Sequence, residues 1–410
     1  VLRCNKFLVV VSSSTSSSLD LEIRCCVDRL KPQYIAMGWT PPHLPASMCQ
    51  TEFEYSVNDK EEPEMKIKRI GVDLAKNVFQ LHGADHRGKA VWKRKLSRDK
   101  WLKVLFETAE PGTVIGMEAC AGAHHWSRVL IKKGYDVKII PPQFVKPFVK
   151  SNKNDANDAA AICEAMARPN MHPVKVKTIE QQDLQAIHRI RDEIKSHRIA
   201  KANQIRGLVT EYGLVAPKEL LSLRKAIPEW LEDADNGLTM FFRQLLHGLW
   251  EDLLSLDKRM SELDKQVTVI AQENPVAKRL QKLRGIGPLI ATALVATMGD
   301  AKQYRKGRDM AAAIGLTPRQ HSSGGKDRLL GISKRGDAYL RCLLVHGARS
   351  AMRTAKDKDD RLSCWITNLQ DRRHANVAAC AMANKMARMA WVIMSKGVDY
   401  DPDFSPAVAS

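Results

Sequence analysis

Four carboxylates are spaced as if to share a cation. Asp73 stands at the end of Lys66-Ile67-Lys68-Arg69-Ile70-Gly71-Val72-Asp73, and Glu118 ends the short apolar run 113–118. If these two runs are parallel neighbours in a mixed sheet, the acids meet. Asp155 and Asp158 are three apart, so on a helix they share a face. Four carboxylates converging in a basic domain would repel one another without a cation. Two Mg2+ ions about 3.5–4 Å apart would relieve that and suit phosphodiester chemistry, one activating the nucleophile and the other stabilising the leaving oxygen. Each acid alone reads better as a solvated or capping side chain, and Asp155 as an acid in the first turn of a helix. The metal reading rests on all four together with the order of the elements.

A second constellation is His321-Ser322-Ser323-Gly324-Gly325-Lys326-Asp327-Arg328. Two serines sit beside glycines and among cations. A hydroxyl here could attack a phosphate while Lys326 and Arg328 steady the developing charge. Lys334, Arg335 and Arg341 add further phosphate partners. On chemistry alone, a surface loop with a Ser-Gly turn is the better reading.

The elements that must position these groups follow from pattern. In 65–172 the sequence predicts strands at 67–73, 113–118 and 136–140 and a hairpin 78–85/90–96 turning at His86-Arg87-Gly88. It predicts helices at 97–108 (capped by Ser97), 124–133 (stopped by Gly134) and 155–167. That order suggests a mixed α/β sheet of the RNase H type. In 173–275 long helices take over. The first, 180–212, carries Arg189, Arg191, Lys195, Arg198, Lys201 and Arg206 beside an Ile/Leu stripe. The second has a heptad seam, Leu246, Leu249, Leu253, Leu256, Met260, Leu263, Val267 and Ile270, which predicts a coiled coil serving assembly, or else a helical hairpin within the chain. In 276–398, Leu283-Arg284-Gly285-Ile286-Gly287-Pro288 joins two helical stretches like a helix-hairpin-helix, whose glycines would let backbone amides approach a phosphate. A basic Gly/Ser loop follows at 321–336, then a helix from Asp337 and a last Ala/Met helix at 375–396, leaving a tail at 399–410.

Composition bounds the function. The 410 residues suffice for two or three domains, and 44% are apolar, as in globular proteins. The formal charge is +19, and 1–64 differ from the rest, with six basic and nine acidic side chains. A chain this basic implies a polyanionic partner, most often nucleic acid. Aromatics are only 6%, which gives little support to single-strand binding by stacking. No run approaches the roughly 18 apolar residues of a spanning helix, so no membrane is expected. Nine scattered cysteines without a Cys-x-x-Cys pair fit reduced thiols in a cytoplasm and give no support to a zinc site. Residues 1–64, acidic and rich in Ser and Pro, are expected to be disordered or a misassigned leader ahead of a start at Met65.

Ile70-Gly71-Val72-Asp73-Leu74-Ala75-Lys76, Met117-Glu118-Ala119-Cys120-Ala121-Gly122 and Asn154-Asp155-Ala156-Asn157-Asp158-Ala159 resemble the three acidic motifs of the DEDD transposases. These are insertion-sequence recombinases of the IS-one-ten type, and the resemblance is greatest to the IS-eleven-eleven branch. Gly315-Leu316-Thr317-Pro318, Ser323-Gly324, Gly331-Ile332-Ser333-Lys334-Arg335-Gly336 and Leu340-Arg341 resemble that family's C-terminal transposase domain. The likeness runs in order from Met65 to about Gly397. It implies a RuvC-like domain binding Mg2+ through Asp73, Glu118, Asp155 and Asp158. It also implies a serine nucleophile that forms a covalent link to a DNA 5′ phosphate; the position before Gly324 fits best, so Ser323, with Ser322 as the alternative. A composite site drawn from two domains, a structured guide RNA pairing with donor and target DNA, a homodimer or homotetramer, and a nucleoid-associated place in a bacterial cytoplasm are implied as well. The basic helix 189–206 is then a candidate to hold that RNA. Rival readings are a RuvC-like nuclease or junction resolvase using activated water, a DNA-binding protein with structural acids, and a sugar-kinase-like ATPase. The last lacks a second Gly-rich loop.

Overall fold

The computed structural model describes residues 2–4, 7–9, 66–150 and 154–402. The chain divides into two units, Val1–Glu64 and Met65–Ser410. In the first, β1 (Leu2–Cys4) and β2 (Phe7–Val9) pair antiparallel. The rest of the segment expected to be disordered or misassigned lies outside the described residues.

The second unit opens on a five-stranded mixed sheet. Its strands are β3 (Arg69–Leu74), β4 (Val78–Ala84), β5 (Ala90–Ser97), β6 (Val114–Glu118) and β7 (Asp136–Ile140), in the order β5-β4-β3-β6-β7. The first three form an antiparallel meander, and β6 and β7 add in parallel beside β3. Alternation sorts the side chains of the central strands. Ile70, Val72, Ile115 and Met117 point to one face, where α1 (Trp101–Thr108) and α2 (Ala123–Lys132) cover them. There Phe79, Trp101 and Trp126 meet edge to face, with centroids 5.0–5.6 Å apart. The opposite face carries α4 (Asp155–Ala165), reached through the short α3 (Pro142–Val145) and a 3-10 turn at Lys146–Phe148. Helix α1 begins four residues later than predicted. Ser97 is held in the β5 ladder opposite Val78 and does not cap a helix.

A strap at 173–178 leads out of the sheet. Val174 bridges Ile139, the Lys177 amide donates to His124 Nδ1 at 3.2 Å, and Arg128 donates to the Lys177 carbonyl at 2.8 Å. Beyond it come α5 (Ile179–Thr210), α6 (Leu220–Glu232) and α7 (Met240–Glu273). Thr178 and Gln181 form a reciprocal capping box at the start of α5. The heptad seam is covered within the chain. Leu246 and Leu253 join Ile205, Val209, Leu223 and Ile227 in one cluster, and Met260 and Val267 are buried farther along α7. The predicted seam is therefore an antiparallel helical hairpin, the second of the two arrangements the spacing allowed.

The last part is a helical cluster. It comprises α8 (Pro275–Leu280), α9 (Pro288–Met298), α10 (Gly307–Ala313), α11 (Ala338–Arg353), α12 (Arg361–Arg372) and α13 (Ala375–Lys396) around one core. Ala379, Ala383, Ala387 and Ala390 of α13 are fully buried, and these small side chains let α10 and α11 approach closely. Between α10 and α11 stands a two-stranded hairpin, β8 (Pro318–Gln320) and β9 (Leu329–Ile332).

Candidate active site

Asp73 lies in β3 one residue beyond Val72, which pairs with Met117; Glu118 lies one residue beyond Met117. Both acids point to the face that α4 covers, since their neighbours two residues earlier, Gly71 and Gly116, do so as well. Those glycines pair across the two strands and make a notch. A Cβ on Gly71 would lie 2.2 Å from the Ala159 carbonyl oxygen, and one on Gly116 would lie 2.8 Å from Met166 Sδ. Helix α4 can therefore sit directly on the sheet, which brings its first turn over the end of β3. Asn154 caps that turn by accepting from the Ala156 amide at 3.0 Å, and the helix N-terminus favours the negative charges of Asp155 and Asp158.

The result is a carboxylate cluster. One oxygen each from Asp73, Asp155 and Asp158 lies within 4.8 Å of the others. Asp73 and Asp158 are half-buried and Asp155 is exposed. Glu118 is not among those three, but it borders the same space: the Cys120 thiol is pushed up by partial burial and then by the charges of Glu118 and Asp73 together. The donor set is all carboxylate oxygen and open to solvent on one side. That suits a hard, partly hydrated divalent cation, and like charges this close favour having one.

The serine loop is the tip of the β8–β9 hairpin. Lys326 N donates to the Ser323 carbonyl at 3.1 Å, across Gly324 (φ +56) and Gly325 (φ +74). Two successive left-handed residues make a tight hairpin turn that only glycine enters freely. Ser322 Oγ accepts from Gln320 Nε2 at 3.0 Å and from the Arg328 amide at 3.3 Å. Ser323 is exposed, and its hydroxyl has no hydrogen bond among the described residues. The hairpin's root is tight. Lys334 takes φ +56, a Cβ on Gly336 would lie 1.8 Å from the Ala313 carbonyl oxygen, and Arg341 donates to the carbonyls of Ile314 and Arg335 at 2.9 and 2.8 Å. Carboxylates and serine thus stand on separate elements that share no hydrophobic cluster.

The basic side chains divide. Lys326, Arg328, Lys334 and Arg335 are exposed around the hairpin, whereas Arg341 is engaged in holding its root. On α5, three of the six are taken up by α7. Arg191 donates to Asp264 at 2.5 Å, Arg198 to Asp257 at 3.3 Å and Lys201 to Asp252 at 2.9 Å. Arg206 donates to the carbonyls of Pro217 and Lys218, and Arg189 and Lys195 remain exposed. Sequence reasoning passed over Gly71 and Gly116. The signal was present, for each stands two residues before its acid.

Comparison with known proteins settles the kinship. A family model described as "Transposase", of the DEDD IS110 kind, matches residues 70–214, and the "Transposase IS116/IS110/IS902 family" matches 277–362. A "Probable family 20 transposase" of Pseudomonas aeruginosa is 44% identical over 339 residues, covering 82% of this chain and all of the relative. The transposase for insertion sequence element IS1111A of Coxiella burnetii is 41% identical, covering 88% of this chain and 98% of the relative. That of IS1328 of Yersinia enterocolitica is 40% identical over 81% and 98%. The chain belongs to the IS110 family of insertion-sequence transposases. It is thus an enzyme of transposition that cuts and rejoins DNA. Of the two family matches, one holds all four acids and the other the serine hairpin. The family's acidic signature suggests a divalent metal, and the Asp73–Asp155–Asp158 cluster is where the transposase could hold one. Among its described residues no helix is long and apolar enough to cross a membrane.

Proposed function

We propose that the transposase breaks and rejoins DNA at a composite site. Asp73, Glu118, Asp155 and Asp158 of a RuvC-like region, 65–172, hold Mg2+, and Ser323 of a C-terminal region, 276–398, is the nucleophile. The observation that carries this reading is the convergence of three carboxylates where β3 ends. Mg2+ bound there would polarise the scissile phosphate and offset charge on the leaving oxygen. Ser323 Oγ attacks phosphorus and loses its proton to solvent. The P–O3′ bond breaks, the 3′ oxygen leaves as a hydroxyl after taking a proton, and the 5′ side remains as a phosphoserine. A 3′-hydroxyl of the second strand then attacks the same phosphorus. The P–Oγ bond breaks, the new phosphodiester forms, and the serine regains its proton.

Ser323 suits this role better than Ser322, whose hydroxyl is tied across the hairpin. Lys326, Arg328, Lys334 and Arg335 steady the phosphate from the same hairpin. Serine and carboxylates meet within one protomer or between two of a homodimer or homotetramer. Met240 and Phe241, 73% and 71% exposed at the start of α7, are the kind of surface that assembly would cover. A structured guide RNA selects the DNA, and Arg189 and Lys195 are free to touch it.

The test is covalent trapping. Purified protein, guide RNA, Mg2+ and end-labelled element-junction DNA are mixed and run on denaturing gels for wild type, Ser323→Ala and Asp73→Ala. A protease-sensitive DNA adduct lost in both variants is the expected result. Cleavage without an adduct, persisting in Ser323→Ala, would transfer the role to an activated water.

A further inference from the structure

The β8–β9 hairpin has two faces, and its register separates them. Gln320 stands opposite Leu329, and Ser323 opposite Lys326. The His321 amide donates to the Arg328 carbonyl at 2.9 Å, which sets those two residues opposite each other and leaves Ser322 opposite Asp327. Alternation then divides the side chains. Gln320, Ser322 and Asp327 share one face and are bonded together on it: Gln320 Nε2 donates to Ser322 Oγ at 3.0 Å and to Asp327 Oδ1 at 3.2 Å. His321, Ser323, Lys326 and Arg328 share the other. All four are exposed, and among the described residues no hydrogen bond engages the His321 ring or the Ser323 hydroxyl.

The two faces differ in chemistry. The bonded face holds the arms of the hairpin together. The other presents a hydroxyl, an imidazole, an ammonium group and a guanidinium at a tip that stands clear of its surroundings, since a Cβ on Gly324 or Gly325 would meet no atom within 4 Å. Ammonium and guanidinium groups are donors without an acceptor, so they can answer a phosphate but cannot take the serine proton. The imidazole can. Histidine takes up and releases a proton near neutral pH, as a base that later acts as an acid must. His321 and Ser323 are two residues apart on one strand face, about 7 Å along the chain, a span that ring and hydroxyl can bridge directly or through one water. Asp327, the one acid between 318 and 332, is held on the opposite face.

We propose that His321 is the proton acceptor for Ser323. As Oγ attacks phosphorus, its proton passes to the imidazole rather than directly to solvent. The P–Oγ bond forms, the P–O3′ bond breaks, and the 3′ oxygen leaves as a hydroxyl with a proton from water. In the second step the entering 3′-hydroxyl gives its proton to water and forms the new phosphodiester. The P–Oγ bond breaks as the imidazolium returns its proton to the serine. Lys326, opposite Ser323, and Arg328, opposite His321, are left to steady the phosphate oxygens. Base and nucleophile share one hairpin, so they reach the carboxylates together, in the same protomer or in another. This role rests on Ser323 being the nucleophile.

The experiment measures the single-turnover rate of protein–DNA adduct formation by the full chain from about pH 5.5 to 8.5, for wild type, His321→Gln and His321→Ala, with Ser323→Ala as the blank. Both histidine variants should be slower by about a hundredfold or more, and their rates should lose the dependence on pH that the wild type shows. Added imidazole should restore part of the rate to His321→Ala and none to Ser323→Ala. Alanine at Arg319, Lys326, Asp327 or Arg328, the other charged groups between 318 and 332, should shift the profile without flattening it. A wild type that forms no adduct would overturn the serine nucleophile and the role of His321 with it. An adduct formed by the His321 variants at the wild-type rate and profile would overturn the base alone. Slow variants that keep the wild-type profile and gain nothing from imidazole would overturn it as well, and leave the ring a structural part of the hairpin. A profile flattened by Lys326→Ala in place of the His321 variants would transfer the role to the lysine.

Discussion

Two regions of this transposase carry many cations and put them to opposite uses. Residues 173–275 hold 15 basic and 16 acidic side chains, and the α5–α7 hairpin pairs Arg191, Arg198 and Lys201 with acids on the facing helix. Residues 276–398 hold 24 basic and 8 acidic side chains, with the cations of the serine hairpin facing outward. A row of arginines on a helix is therefore no measure of nucleic-acid affinity. What counts is the charge left after the neighbouring helix has answered it.

The sharpest way to break this contrast is to strip each region in turn. Replacing Lys326, Arg328, Lys334 and Arg335 together by alanine should weaken DNA binding at low salt about a hundredfold or more and flatten the salt slope by about 3–4. Arg191→Ala with Arg198→Ala should leave the slope unchanged within error. If a salt titration showed the α5 pair controlling the slope, the contrast would fail.

The next effect is on stability and belongs to the hairpin. Arg198 of α5 and Arg224 of α6 both pair with Asp257, and the Nε atoms of both arginines and Asp257 Oδ2 are shut off from water without a hydrogen bond. Asp257→Ala would leave two partly buried guanidinium groups facing each other. A loss of roughly 2–3 kcal/mol is expected, less than for a fully buried pair because all three side chains keep some exposure. Chemical denaturation reads the loss, and DNA affinity measured below the melting point should hold.

These outcomes bear on what the sequence could reveal. Strand β7 and helix α13 were readable to the residue, because Pro141 and Pro142 end one and Gly397 closes the other. Element order left the parallel pairing of β3 with β6 as a condition, and the structure fulfils it, with Asp73 and Glu118 each one residue beyond the Val72–Met117 pair. The closeness of α4 did not follow, because it depends on Gly71 and Gly116 falling in register across two strands 45 residues apart. The heptad seam announced that α7 must be covered without saying by what, since spacing is the same for a partner within or outside the chain. Asp252, Asp257 and Asp264 were likewise visible, but their meaning required the antiparallel hairpin that sets them opposite α5. The tip at Gly324-Gly325 was legible as a turn, while its placement relative to the carboxylates depends on tertiary packing that no local pattern encodes.

A smaller effect ties the two regions together. His188 of α5 is buried between α9 and α11, with Nε2 3.0 Å from Thr292 Oγ1 and Nδ1 3.1 Å from Tyr339 Oη. Thr292 donates to the Pro288 carbonyl at 2.8 Å, so it accepts from Nε2–H, and Nδ1 accepts from the tyrosine hydroxyl. Burial, with Arg191 adding, lowers the His188 pKa to about 4, against the opposing pull of Asp337. The folded protein keeps this ring neutral while the unfolded chain protonates it near 6.5. Its contribution is therefore complete above pH 6.5 and declines as pH falls from there toward 4. Between pH 7 and 5 the loss should be about 2 kcal/mol. Melting curves across that range should show it, with a smaller pH dependence in His188→Gln.

The finest test is a charge exchange across the hairpin. Arg191 and Asp264 are 14% and 48% exposed, so water screens the acid more than the base. Arg191→Asp alone sets two acids face to face, and Asp264→Arg alone sets two bases. Each single variant should lose about 0.5–1 kcal/mol, and the double exchange should recover most of it, because antiparallel helices offer the same separation to either order of charges. The DNA salt slope of the double variant should equal that of wild type, since the exchange leaves the net charge of the hairpin unchanged. Recovery of stability with a changed slope would mean that Arg191 reaches nucleic acid in spite of its partner. The distinction drawn between paired and outward cations would then have to be redrawn residue by residue.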